Sequence, residues 1–346
     1  MAFLFNAWYA AAWADELGND MVERMLLERP LICFRDDNGK ASVIGGICPH
    51  RFAPLSLGCK VSSGIQCKYH GLIFNGDGIC IGQAGSKEKI SSAVKVPSYP
   101  CVEKHGVIWV WMGERELADP GCIPDFSYLE DPNRKTVKGV TKLAANFHII
   151  SDNLLDLGHA QYVHKDSLGE MSPPQSITHD SSERDGTVTD LRIYHCMKPP
   201  RFWADALPGR RSHVDFWLEM RWDQPSMMRN HVGVSLPGES LDHGAEHFGT
   251  HLLTPETETS THYFFGSSRN YAQSNPDIDE AWRQWQHQAF DLEDGPICRA
   301  VQQMTPIAKS LGMREMLLQS DKSAVMAARI LQKAIDQERR AMEPTG

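Results

Sequence analysis

The feature that most constrains this chain is CPHRFAPLSLGCKVSSGIQCKYHGLIF, residues 48–74. Two short loops each present one cysteine and one histidine, Cys48-x-His50 and Cys67-x-x-His70, with sixteen residues between them. Thiolates and imidazoles in clusters hold metals, and a structural zinc site that staples two loops is the plainest reading. Zinc knuckles, however, pair like ligands, C-x2-4-C with H-x3-5-H. Here each loop supplies one of each kind, which suits two metals better than one.

If both cysteines go to one iron and both histidines to the other, each loop must reach both metals. That is the arrangement of a Rieske [2Fe-2S] centre, in which neutral imidazoles replace two anionic thiolates and raise the reduction potential. Pro49 stiffens the first loop, and Gly71 allows the tight return after His70. The remaining cysteines, Cys59 included, are expected to be small buried hydrophobes.

A chain of 346 residues exceeds what one core usually organises, so two domains are expected. Its formal net charge of −9 argues against a polyanionic partner, because nucleic-acid binders carry basic excess. The N-terminal run MAFLFNAWYAAAWADEL lacks a basic residue ahead of its apolar stretch and makes a poor signal peptide. No later run approaches the roughly 18 apolar residues of a membrane span. Nine scattered cysteines are no disulfide scaffold, and a cytoplasmic location without membrane or nucleic-acid partners is expected.

Turn chemistry divides the chain near residue 117. From Val22 to Met112 short strand-like segments alternate with turns: MLLERPLICF, a hairpin turn over Asp36–Lys40, ASVIGGI, and later GVIWVWM. The segment ELADPGCIPDF leads out of this half. Beyond it NFHIISDNLLDLGHAQYVH reads as a helix. Strands follow at HVDFWLEMRW, MMRNHVGVSL, FGTHLLTP and THYFFGSS, then helical stretches near 278–304 and 321–341. The expected domains are 1–117, all-β, and 118–346, α+β.

An electron-carrying domain would occupy about the first third of the chain, leaving some 230 residues to explain. In SDNLLDLGHAQYVH, Asp152, Asp156 and His159 lie at helical spacing on one face. His164 follows five residues after His159, so the chain must bend or end there to bring both imidazoles together. Two histidines and a carboxylate with open positions form the facial triad of non-haem Fe(II) oxygenases. Asp291, Glu293 and Asp294 in FDLEDGP are the candidate third ligands, and spacing does not choose among them.

NAWYAAAW, CPHRFAPLS, CKYHGLIF, IWVW, DNLLDLGHAQYVH, TPETETSTHYFFGSSRN and the late LED together resemble the oxygenase components of Rieske non-haem iron oxygenases. The likeness runs almost end to end and is nearest the aromatic O-demethylase group that includes vanillate and dicamba O-demethylases. It implies cluster ligands at Cys48, His50, Cys67 and His70, and mononuclear-iron ligands at His159, His164 and Asp294. It implies a Rieske domain followed by a helix-grip (START-like) catalytic domain with a curved antiparallel sheet. It further implies head-to-tail homotrimers, in which the cluster of one subunit serves the iron of its neighbour. Asp156 resembles the family's bridging carboxylate, hydrogen-bonded to an iron histidine and to the neighbour's His70, and Asn153 is placed near the iron.

The implied activity is O2-dependent oxidation of a small aromatic compound, foremost O-demethylation of a methoxy-aromatic acid to a phenol and formaldehyde. Aromatic methyl or ring hydroxylation and ring cis-dihydroxylation are the alternatives for the same centre. An electron carrier with an inert catalytic fold and a zinc-stabilised binding protein are the competing classes. Matching positions in the demethylases favour Asn230, His251 and Trp285 as substrate contacts; Asn230 and His231 alternate on a strand, so one of them at most faces the substrate. Arg210 and Arg211 read as solvated loop charge. No G-x-G-x-x-G follows a strand, so electrons from NAD(P)H must come through a reductase, with or without a ferredoxin. Arg51, Lys60 and Lys68 beside the cluster loops offer such a partner a basic patch.

Overall fold

The computed structural model describes residues 3–342 apart from 92, 169–171, 201, 202, 204, 205, 208, 210, 242 and 243. The chain forms two compact units, Met1–Ile123 with Thr254–Thr257, and Pro124–Leu253 with Glu258–Gly346. Their junction at Ile123 falls inside the Pro- and Gly-rich ELADPGCIPDF stretch.

The first unit is built from small antiparallel sheets. In one, β1 (Trp8–Trp13) pairs with β11 (Val107–Trp111), which pairs with β10 (Cys101–Lys104). Every residue of β1 is buried, which accounts for the apolar N-terminal run. A second sheet has the order β2 (Val22–Leu26), β3 (Arg29–Arg35), β4 (Ala41–Gly45), β9 (Ser98–Tyr99). MLLERPLICF is therefore two strands, not one. The chain reverses at Leu27 and Glu28, both with positive φ (49° and 62°), and their N–H groups donate to the carbonyls of Pro255 and Glu256. Neither residue is glycine or asparagine, so the usual turn signal is missing. The turn over Asp36–Lys40 forms as expected, with the Asp36 carboxylate accepting from Asn38 and Lys40 N–H and Gly39 at φ 79°.

The third sheet, β5 (Cys59–Val61), β6 (Gly64–Gln66), β7 (Leu72–Phe74) and β8 (Cys80–Gln83), carries the second cluster loop at the tip of its β6–β7 hairpin. Ile32, Phe34, Ile44, Leu55, Ile65 and Phe74 form one core with Cys48 and Cys67. Cys59 departs from expectation. It is exposed at the start of β5; Cys122 is exposed too, and Cys101 and Cys196 are only half-buried.

The second unit is an α+β helix-grip domain. Its seven-stranded antiparallel sheet runs β12 (Lys135–Leu143), β18 (Ser260–Arg269), β17 (Ala245–Thr257), β16 (Met227–Ser235), β15 (Val214–Asp223), β14 (Thr187–Met197), β13 (Ser176–Arg184). The strands β12, β13 and β14 escaped the sequence reading. β13 is an edge strand whose side chains are nearly all exposed, so burial imposed no apolar alternation on it.

The helix read through DNLLDLGHAQYVH is broken. α1 (Phe147–Leu155), capped by the Asn146 side chain on His148 N–H, stops at Leu155, and short helices α2 (Ala160–Val163) and α3 (Lys165–Leu168) follow. Asp152, Asp156 and His159 consequently do not share one helical face. The stretch read as 278–304 is α4 (Pro276–Gln286), a π-helical segment His287–Asp294, and α5 (Gly295–Ser310); α6 (Lys322–Met342) closes the chain. No helix among the described residues is long and apolar enough to cross a membrane.

α4 is tied to the sheet by Arg269 on β18, whose Nη2 lies 2.5 Å from Asp279 Oδ1 with the guanidinium side chain only 1% exposed. Removing one partner of such a pair leaves an uncompensated buried charge. Asp279→Asn is expected to destabilise the second unit by about 3 kcal/mol, seen as a lowered calorimetric transition for that unit.

Candidate metal centres and the adjoining cavity

The two sequence loops of the first unit fold alike. Phe52 N–H donates to Cys48 O (2.9 Å) and Gly71 N–H to Cys67 O (3.0 Å), closing one turn after each cysteine. The turns end in left-handed residues, Phe52 at φ 57° and Gly71 at φ 71°. Both cysteines are buried, while His50 and His70 are exposed with their Nδ1 atoms 3.1 Å apart. Burial raises the Cys48 thiol above its ordinary value, a backbone N–H at His50 opposes this, and the adjacent Cys67 thiol adds to it. Two buried, interacting thiols on loops that also carry a close pair of imidazole nitrogens fit a bound iron–sulfur cluster, which requires the thiolate form.

In the second unit the break after α1 brings His159 and His164 together. His159 Nδ1 donates to the main-chain carbonyl of Asp156 at 2.5 Å, and His164 Nδ1 to Glu293 Oε2 at 2.7 Å. Each ring therefore turns its Nε2 lone pair inward. The two Nε2 atoms stand 3.1 Å apart, and each lies 3.5 Å from an oxygen of Asp294. Three acceptors facing one point repel one another unless a cation lies among them, so these residues could hold one metal ion. Burial alone would lower the His159 imidazole, but the Asp294 carboxylate and the Asp156 carbonyl and charge together outweigh it, and the net shift is upward. The site asks for positive charge.

The structure distinguishes the three acids that spacing left open. Asp294 faces the imidazoles; Glu293 accepts from His164 and from Ser167 N–H and Oγ–H; Asp291 pairs with His287. Glu293, one of the three candidate ligands by sequence, stands behind His164, a place no local pattern indicates. Asn153 Nδ2 donates to Asp294 Oδ1 at 3.2 Å, while its Oδ1 is buried without a partner among the described residues. Asp156 requires a correction. Its carboxylate accepts from Gly158 N–H (3.0 Å), and its carbonyl, not its carboxylate, meets the histidine, because the chain leaves the helix at this residue and turns that carbonyl toward His159.

A cavity of about 460 Å³ opens from this triad within the second unit, in the usual range for small-molecule sites. Asn230, His251 and Trp285 all line it. His231 points to the other side of the sheet, where it pairs with Glu246 at 2.6 Å. Nine positions separate Trp285 from Asp294, about two and a half α-helical turns, which would set them on opposite faces. The wider turns of the π segment bring both to the cavity. Arg210 lies outside the described residues, and Arg211 is exposed.

His251 has a defined role for each nitrogen. Burial pushes its imidazole down to about 4 and the Tyr263 phenol well above its ordinary value. The phenol has His251 Nδ1, 2.5 Å away, as its one hydrogen-bond partner among the described residues, so it donates there. The ring proton is left on Nε2. Tyr263 carried no sequence signal beyond an alternating strand. Gly249 is required beside it, for a Cβ there would meet His251 Nε2 at 3.0 Å and Asn230 Cβ at 3.1 Å.

Residues 143–337 match the vanillate O-demethylase oxygenase C-terminal domain, and residues 7–100 match the Rieske [2Fe-2S] domain. The chain belongs to the Rieske non-haem iron oxygenases. This Rieske oxygenase is 40% identical to the oxygenase component of dicamba O-demethylase from Stenotrophomonas maltophilia, over 96% of this chain and 98% of that one. It is 34% identical to the oxygenase component of chloroacetanilide N-alkylformylase from Rhizorhabdus wittichii, over 98% and 97%. The crystal structure of dicamba monooxygenase bound to 3,6-dichlorosalicylic acid superposes with a TM-score of 0.94 at 38% identity, covering 98% of this chain and 99% of that one. The protein is thus a Rieske oxygenase component whose cofactors are a [2Fe-2S] cluster and a mononuclear non-haem iron.

Loss of a carboxylate behind a metal-binding histidine usually costs about 10–100-fold in metal affinity. Glu293→Ala is expected to weaken Fe(II) binding to that extent in anaerobic titrations of the iron-depleted protein, with the visible spectrum of the cluster unchanged.

Proposed function

We propose that this oxygenase O-demethylates a methoxy-aromatic acid, releasing formaldehyde and a phenol. In this reading Cys48, His50, Cys67 and His70 hold the cluster, and His159, His164 and Asp294 hold the mononuclear iron. When bound, the two metal groups supply single electrons and O2 activation. The observation that carries the proposal is the largely apolar cavity in which Asn230, His251 and Trp285 lie beside the triad. The relative that acts on dicamba and the structure holding 3,6-dichlorosalicylic acid support the same class.

The residues divide the work. His251, neutral with its proton on Nε2, donates a hydrogen bond to an acceptor on the substrate, and the Asn230 amide on the cavity wall supplies a second polar contact. Trp285 provides a flat wall against the ring, and these contacts hold the methoxy carbon toward the triad. Asn153 and Glu293 keep Asp294 and His164 in place. Insertion of one oxygen atom into a methoxy C–H bond gives a hemiacetal, which collapses to the phenol and formaldehyde without further help from the protein.

Electrons reach an oxygenase component from a separate reductase, directly or through a ferredoxin. The exposed His50 and His70, with Arg51 and Lys68 beside them, form the docking point in this proposal. The protein acts as a homotrimer in which the cluster of one subunit serves the iron of the next. Ile297, Val301, Met304 and Ile307 support an assembly of this kind, for they form an exposed apolar face of α5. Nine unpaired cysteines suit a reducing cytoplasm.

With a reconstituted reductase and NADH, methoxybenzoates are expected to yield one formaldehyde for each phenol formed, measured by chromatography and a colorimetric aldehyde assay. A ring- or methyl-hydroxylated product that keeps its methoxy group would overturn the proposal. Subunit transfer has its own test. His70→Ala and His159→Ala are each expected to abolish turnover, whereas co-expressed mixtures of the two recover part of it. Mixed oligomers without any recovery would show that each subunit serves itself.

A further inference from the structure

The cavity wall carries one fixed positive charge. Among the described lining residues Arg192 alone is a lysine or arginine, and burial keeps His247 and His251 neutral at physiological pH. Arg192 lies on β14 opposite Leu218 of β15, with Tyr194 opposite Phe216 one step along, and all four line the cavity. Its side chain therefore projects from the inner face of the sheet. Leu218 is opposite Val232 and Met220 is opposite Asn230, so Arg192 and Asn230 are two strands and one inner-face step apart, roughly 12 Å between backbones. The far end of the arginine reaches toward the turn that carries His159. A Cβ placed on Gly158 would stand 3.7 Å from its Nη1, and Gly158 and His159 line the same cavity.

The guanidinium is poorly satisfied where it stands. The side chain is 12% exposed, Nε is buried without a hydrogen-bond partner, and no hydrogen bond among the described residues engages either Nη group. Asp190 is the nearest acid. Its Oδ1 lies 3.5 Å from Nε, but that carboxylate is already held by Ser181 Oγ–H at 2.6 Å and by His179 at 3.1 Å. The Asp156 carboxylate accepts from Gly158 N–H and forms no ion pair with Arg192 among the described residues. Nε, on the Asp190 side, is the only nitrogen of the group sealed off; the two Nη groups keep accessible surface where the side chain borders the cavity. A guanidinium largely removed from water without acceptors is costly, and its planar fork matches the two oxygens of a carboxylate.

We propose that Arg192 is the anchor for the substrate's carboxylate, paired with it through the Nη groups. The acid then docks against β14, and the uncharged Asn230 and His251 are left to the methoxy-bearing side of the ring. This rests on reading the cavity as the site of a methoxy-aromatic acid, and it adds the residue that selects the acid over its uncharged counterparts.

The test uses the holoprotein under anaerobic, non-reducing conditions, where binding is read without turnover. Affinities of 2-, 3- and 4-methoxybenzoate and of the corresponding methoxybenzamides are measured by titration calorimetry. At least one acid is expected to bind about tenfold more tightly than its amide, the size of one charge-assisted pair. In Arg192→Met, which keeps the apolar stem and removes the charge, that ratio should fall to about one, with the amide within about threefold of its affinity for the unaltered protein. In Arg192→Lys, which keeps the charge without the fork, part of the preference should remain. Cluster absorbance, iron content and circular dichroism verify that each variant is folded and loaded. A preference for the acid that survives in Arg192→Met overturns the proposal. Acid and amide weakened to the same extent overturn it as well, for the arginine would then only support the turn before His159. An unaltered protein that binds acid and amide alike, and releases formaldehyde from both, removes the anchor alone without recourse to any variant. If neither acid nor amide binds the unaltered protein, substrate class and anchor fall together.

Discussion

The geometry of the catalytic unit depends on where two imidazoles place their Nδ1 protons. His159 gives its proton to the Asp156 carbonyl and His164 gives its own to Glu293, so both Nε2 lone pairs turn toward Asp294. Each ring is fixed by a hydrogen bond at the atom away from the shared point. Convergence of three acceptors is unfavourable by itself, and the surrounding structure must impose it: a buried His164, a nearly buried Glu293, and an Asn153 amide that holds Asp294. The metal preference is thereby built into the polypeptide.

That arrangement needs two departures from regular helix. α1 stops at Leu155, and the turn through Asp156–Gly158 frees the carbonyl that His159 uses. The π segment at His287–Asp294 rotates Trp285 and Asp294 onto the same side. Both irregularities lie where the metal residues are supplied, and the Arg269–Asp279 pair anchors α4, the helix that leads into the second of them. The sheet contributes in a different way, by strict alternation: Asn230 faces the cavity while His231 faces Glu246, and His247, Gly249 and His251 follow one another along the inner face of β17.

The first unit solves a similar problem with less helix. Two matched turns closed by Phe52 and Gly71 bury the thiols and leave the imidazoles at the surface, so the histidine edge faces solvent while the sulfur side is covered. A cluster held in this way is open to a partner from the histidine side.

The sequence alone determined the chemistry. Paired Cys-x-His and Cys-x-x-His loops place sulfur and imidazole donors within a few residues of one another, and that information is local. The Asp36–Lys40 turn and the four strands from Val214 to Arg269 were legible for the same reason, since turn residues and alternating burial act over short distances. Tertiary structure decided what depends on residues far apart in the chain. Leu27 and Glu28 reverse without glycine because their N–H groups are satisfied by Pro255 and Glu256. Asp294 rather than its neighbours faces the histidines because a π segment sets its angle, and Glu293 and Tyr263 acquire their roles from partners 129 and 12 positions away. Hydrogen-bond direction at a buried imidazole is set by what packs against it, and no local pattern of residues carries that.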